Sequence, residues 1–223
     1  MDPWSVIGEA LAIYSTHWRH FVWIACVVYL AVAFLALLLV LLAGDLGLVG
    51  AGFLSIVSLF WLQGALVEAV ADVRDGRADL TVGQTLTRVR HRLNALSLAG
   101  LLAVLGIGAG LVLLVVPGLL LLTRWILIVP AILLEGKGVL AAFGRSSELV
   151  KGSGWSVFGV ILLTVALYVA GWIIVSIVLL SLPAALQGFL TSIIGSAVTA
   201  PIAAVAWTLM YYRLGGGHEP ATA

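Results

Sequence analysis

Apolar residues along this chain fall in long runs, punctuated by short stretches where apolar and polar positions alternate with a helical period. Six runs, at about 21–43, 53–73, 93–115, 118–134, 155–181 and 188–211, approach or exceed twenty residues. A helix of roughly 20 apolar residues covers the ~30 Å hydrocarbon layer of a bilayer. The pattern therefore predicts an all-α integral membrane protein, with six transmembrane helices arranged as three hairpins. The third and fourth runs are continuous from 93 to 134, and Pro117-Gly118 is the expected break. Proline suits a helix start and glycine a tight turn. One long kinked helix is the alternative, and it would leave five spans.

A short amphipathic segment precedes each pair of runs. In the first, Trp4, Ile7, Leu11, Tyr14 and Trp18 share a helical face, and Asp2-Pro3 supplies an N-cap and a first helical residue. In the second, Val82, Leu86, Val89 and Leu93 align opposite Arg88 and Arg92, and Thr81 and Gln84 have capping-box spacing. In the third, Val139, Phe143, Ser146 and Val150 align, with Arg145, Glu148 and Lys151 on the other side. Too short and too charged to span, these helices are expected in the plane of the cytoplasmic interface. The unit of in-plane helix, span, outer turn and span recurs three times, as pattern rather than as letters.

Charge orients the chain. Of eleven Lys and Arg residues, Arg19 precedes the first span, and Arg74, Arg77, Arg88, Arg90 and Arg92 lie between the second and third. Lys137, Arg145 and Lys151 lie between the fourth and fifth, and Arg213 follows the sixth. The connections at 44–52, 117–118 and 181–187 carry none, which puts both termini in the cytoplasm. Trp155, Tyr211 and Tyr212 stand near span ends, where aromatics anchor at the interface. The first twenty residues contain Asp2, Glu9 and Arg19 and lack the basic start of a signal peptide.

Composition agrees: 63% of the 223 residues are hydrophobic and 9% charged, far from the balance of a soluble domain. Residues 1–214 read as a single polytopic membrane domain and 215–223 as a disordered cytoplasmic tail. The net charge of +1 implies no nucleic-acid partner. Cys26, inside the first span, reads as a small apolar residue.

The stretch at 116–159, VPGLLLLTRWILIVPAILLEGKGVLAAFGRSSELVKGSGWSVFG, carries a spaced set of Pro117-Gly118, Arg124, Pro130, Glu135-Gly136, Arg145-Ser146 and Trp155. This set resembles the membrane-domain family attached to some bacterial glycerophosphoryl diester phosphodiesterases, and its stand-alone relatives. The closing MYYRLGGG is similar too. The resemblance implies the six-span fold and a multi-pass protein of the bacterial cytoplasmic (inner) membrane. It implies no hydrolase activity here, because that activity belongs to a separate soluble domain.

Arg124 is the most informative single residue. An Arg inside a span costs roughly 2.5–3.5 kcal/mol on insertion scales and needs a partner or water. It shares a helical face with Ile128, Ala131 and Glu135. Glu135 is too far along a straight helix for a direct bond, so Glu68 is the expected partner of an interior-facing Arg124. An ion pair and an anion site are both open readings of Arg124, Glu68 and Glu135. Glu68 and Asp72, one turn apart, read as a solvated helix end. The 72–79 carboxylates do not complete the pattern of the headgroup transferases. His17 and His20 lack further metal ligands at suitable spacing, and His91 and His218 have no evident partners. Gly106 and Gly110 on span three, and Ser192, Ser196, Thr199 and Ala203 on span six, suggest close helix packing.

The reading from sequence is a non-enzymatic integral membrane module: a scaffold, anchor or regulator of an envelope or lipid-related process. The alternative is a transporter or channel for a small or lipid-derived anionic solute. The expected partners are the lipid bilayer and other membrane proteins. No cofactor and no metal are expected.

Overall fold

The computed structural model describes residues 1–74 and 81–216. Arg77 and the carboxylates Asp75 and Asp79 lie outside the described residues, as does His218 with the rest of 217–223. The described chain is helical, with no strand among those residues. Its order is α1 (Pro3–Arg74), α2 (Val82–Arg90), α3 (Leu93–Leu113), α4 (Val115–Trp125), α5 (Ile128–Leu134), α6 (Val139–Val150), α7 (Gly154–Val178) and α8 (Ala184–Leu190). A π-helical turn (Thr191–Gly195) then leads into α9 (Ser196–Arg213). Five helical stretches are long and apolar enough to cross a membrane: Pro3–Arg74, Leu93–Leu113, Val115–Leu134, Gly154–Val178 and Leu186–Arg213.

The first of these, 72 residues long, is not one straight rod. At ~1.5 Å per residue it would reach ~108 Å, several bilayer cores. It is interrupted at His17 (φ −118°, ψ 20°) and at Gly44 (φ 54°, ψ −124°). The second conformation is one that a residue with a Cβ rarely adopts. The arms flanking Gly44 touch, since a Cβ on Gly47 would overlap the Leu39 carbonyl.

Asp2 caps the start of α1 as its sequence suggests, its carboxylate accepting from the backbone N–H of Trp4 and of Ser5. The capping box of α2 is formed, with Thr81 and Gln84 each bonding the other's backbone N–H. The apolar face of α2 is the expected one, with Val89 buried and Val82, Leu86 and Leu93 packed against the core, whereas the first and third segments depart in part. In the first segment Val6, Ile7 and Ala10 are buried, whereas Trp4, Leu11 and Trp18 are exposed. That segment lies along α9: Arg213 holds Ser5 and Glu9, while the Tyr14 hydroxyl donates to the Val198 carbonyl. The two attachment points are fifteen residues, ~22 Å, apart on α9. That is more than the two side chains can bridge if the segment simply crossed the end of α9, so it runs alongside. In α6, Ala142, Ser146, Leu149 and Val150 are buried, and Arg145 turns inward rather than away.

The break between the third and fourth runs falls at Leu114, in an extended conformation (φ −161°, ψ 138°), and not at Pro117-Gly118. Pro117 sits in the first turn of α4, where its missing N–H costs nothing. Gly118 serves packing instead. A Cβ there would come within 2.7 Å of the Leu111 nitrogen, and one on Gly110 within 3.0 Å of the Gly118 Cα. Gly106 likewise gives room to the Trp125 ring, 2.6 Å from a built Cβ. Gly106 and Gly110 let the α3 backbone approach α4 closely.

Burial is unevenly distributed. Phe21, Ile24, Leu62, Leu66, Leu96, Leu127, Ile132, Leu209 and Met210 are fully enclosed and form one apolar core. Around Gly44, Leu114 and Leu180, by contrast, large apolar side chains are bare: Leu42 is 83% exposed and Val112 88%. An apolar surface this extensive needs lipid or protein to cover it.

Candidate functional site

The motif residues of 124–146 meet in one structural knot. Pro130 has no N–H for the carbonyl of Ile126, and its ring crowds that carbonyl, which weakens the helix there. It stops at Trp125 and restarts at Ile128, with Pro130 in the new first turn. Breaking a helix in a buried place leaves backbone groups to be satisfied. Ser146 of α6 does this: its hydroxyl donates to the Arg124 carbonyl (2.6 Å) and accepts from the Leu127 N–H (3.2 Å). Ser146 and Leu127 are both fully buried. Phe143, one turn earlier on α6, sets its ring edge-on to Trp125 at 4.8 Å between centroids.

Glu135 is the second centre of the knot. Its side chain is 13% exposed. The Arg145 Nε–H is shared between its two oxygens at 3.0 and 2.9 Å, and the Tyr211 hydroxyl donates to Oε1 at 2.8 Å. Lys137 stands at 4.0 Å. Gly136, at φ +66°, turns the chain beyond α5 in a left-handed conformation that favours glycine. Its carbonyl accepts from Arg92 at 3.4 Å. One carboxylate thus joins α5, α6 and α9, and Arg92 adds the start of α3.

Tyr211 was not expected here. It is completely buried, not an interfacial anchor. The signal lay in MYYRLGGG: Gly216 lies against the Tyr211 ring so closely that a Cβ would overlap it, and the Gly216 N–H returns to the Tyr211 carbonyl at 3.0 Å. Tyr212 takes the Arg74 guanidinium over its face at 4.0 Å. Ordered structure therefore runs through Gly216.

Arg124 takes no part in these bonds with its side chain. It does not pair with Glu68 or with Glu135, and it is exposed rather than interior. The helix break explains the difference. Arg124 ends α4 while Glu135 follows α5, so the two share no continuous helical face. Glu68 is half-buried elsewhere, where the charges acting on it are Arg88 and Asp72. Arg124 instead faces an open groove of about 850 Å³ between α4 and α7, floored by α6. Thr123, Ser147, Glu148 and Lys151 supply its other polar side chains, and Leu119, Leu120, Phe158 and Trp155 much of its apolar wall. Lys151, read from sequence as a polar-face and topology charge, lies three residues before α7 at the groove's edge.

The small residues of span six are used for packing and local bonds. Thr199 bonds the Gly195 carbonyl and presses on Gly171, and Ser196 meets the Tyr168 hydroxyl at 3.2 Å. Cys26 is a free, half-buried thiol. No group of three or more His, Cys, Asp or Glu fit to hold a metal occurs among the described residues. No family model, no curated protein and no solved structure matches the chain.

Proposed function

We propose that this chain is a non-enzymatic integral membrane module, a scaffold or anchor for an envelope or lipid-related process. The observation that carries the reading is how its reactive groups are used. Glu135, Arg145, Tyr211 and Ser146 are the best-placed polar side chains of the motif, and all four are engaged in holding helices together. Chemistry needs groups free to meet a substrate; these are committed to the fold.

In this reading α1 crosses the bilayer twice, turning at Gly44, and the later helices add four more crossings, with turns at Leu114 and near Pro183. Both ends lie in the cytoplasm of a bacterium, in its inner membrane. The one-sided basic residues support that orientation. The bare apolar surface around the three turns supports a lipid-facing outer part. The α2 and α6 segments belong to the cytoplasmic side. Kinship with the phosphodiesterase-associated membrane domain rests on the 116–159 pattern, of which Pro130, Glu135, Gly136, Arg145 and Ser146 form the knot described above.

The transporter reading is supported by the groove at Arg124. A flux assay separates the two. Proteoliposomes holding the full chain should pass radiolabelled glycerol phosphate no faster than empty liposomes. Flux above that background, lost on Arg124→Gln, would replace the scaffold with a transporter.

A further inference from the structure

The groove between α4 and α7 holds two cations that no described residue neutralises. Arg124 and Lys151 both line it, and among the described residues neither side chain has an ion-pair or hydrogen-bond partner. Its one carboxylate, Glu148, is 73% exposed and stands 3.8 Å from Arg145. Away from these groups the wall is hydrocarbon: Val116, Leu119 and Leu120 on α4 and Phe158 on α7.

We propose that this groove binds an anionic glycerophospholipid, its phosphate between Arg124 and Lys151 and an acyl chain laid along α4. Charge complementarity and shape select that occupant. A guanidinium grips phosphate oxygens bidentately, and an ammonium adds a point charge. From Arg124 to Val116 the helix offers eight residues, ~12 Å of apolar edge. A water-soluble anion would use the cations and leave that edge empty; a neutral lipid would use the edge and leave the cations bare. Bare cations beside hydrocarbon are costly, and an anionic lipid relieves both. The volume, about 850 Å³, falls in the ~300–1,000 Å³ range of small-molecule sites. Trp155, 88% exposed at the start of α7, borders the groove, as tryptophans do at headgroup level. The proposal rests on the chain being a membrane protein, and not on its scaffold role.

Native mass spectrometry of the full chain tests it in mixed micelles of dioleoyl phosphatidylglycerol and dioleoyl phosphatidylcholine. This reads the site whatever the topology or transport activity. The wild-type chain should retain phosphatidylglycerol in preference. Arg124→Gln and Lys151→Gln should each lower that retention about fivefold, the size expected for one basic residue facing anionic lipid. Arg124→Lys should keep most of it. Equal retention of the two lipids, or no loss in the double variant, would overturn the proposal, and so would displacement of the lipid by excess glycerol phosphate. If the double variant does not fold, Glu148→Gln decides: retention should rise, and an unchanged value overturns the site.

Discussion

Replacing Ser146 by alanine deletes one oxygen and removes the partner of two backbone groups. The Arg124 carbonyl loses its donor at 2.6 Å and the Leu127 N–H its acceptor at 3.2 Å. Both bonds lie where α6 packs over the break between α4 and α5, out of reach of solvent at Ser146 and Leu127. A buried group left unmatched costs ~1–3 kcal/mol. Two such groups set the upper range, but a carbonyl and an N–H three residues apart can partly satisfy each other with a 3₁₀-type bond. The expected loss is therefore about 2–3 kcal/mol, larger than a typical single substitution. Equilibrium unfolding in detergent micelles, titrated with dodecyl sulfate and followed by circular dichroism, reads it. Ser146→Cys keeps a hydrogen on the side chain but bonds weakly and is larger, so it should lose at least as much stability. A loss below ~0.5 kcal/mol in Ser146→Ala would refute the reasoning, because surface substitutions alone reach that size. It would mean the break closes on itself without α6.

Glu135→Gln and Arg145→Met should each destabilise the chain, and the double variant should cost less than their sum by ~1–3 kcal/mol, since the pair is coupled; additive losses in the same unfolding assay would show no coupling. Gly118→Ala should lose ~1–3 kcal/mol by overpacking against Leu111. Gly83→Ala, on the open face of α2, should instead gain up to ~1 kcal/mol from helix propensity. Phe143→Asp puts a charge beside the Trp125 ring and should lower the thermal midpoint of the purified protein by several degrees; an unchanged midpoint would place Phe143 outside the packed interface.

The parts of this fold legible in the sequence are those set by local chemistry. Apolar runs mark helices that can span, Thr81 and Gln84 mark a capping box, and Asp2 marks a helix start; each depends on neighbours within a few residues. The position of the turn was less legible. Pro117-Gly118 looks like a break, yet Leu114 makes it, because the close approach of Gly110 needs Gly118 inside the α3–α4 contact rather than in the turn. Arg124 follows a related rule. A face shared with Glu135 requires one straight helix, and α4 ends at Trp125, before Pro130. The partnership of Glu135 with Tyr211 joins residues 76 apart in sequence, which no periodicity reports. What the sequence did mark was the set Pro130, Glu135, Arg145 and Ser146, whose members turn out to serve one knot.

The central claim, a six-crossing membrane module with its knot on the cytoplasmic side, is tested most directly by labelling single cysteines in whole cells with a membrane-impermeant maleimide. The background is Cys26→Ala. Asp45→Cys and Ser181→Cys place thiols at exposed positions beside the turns at Gly44 and near Pro183, and Gly144→Cys places one on α6 where nothing lies within 4 Å. The first two should label in intact cells, and the third only after the membrane is opened. Labelling of Gly144→Cys in intact cells, or protection of Asp45→Cys there, would contradict the six crossings and the orientation together.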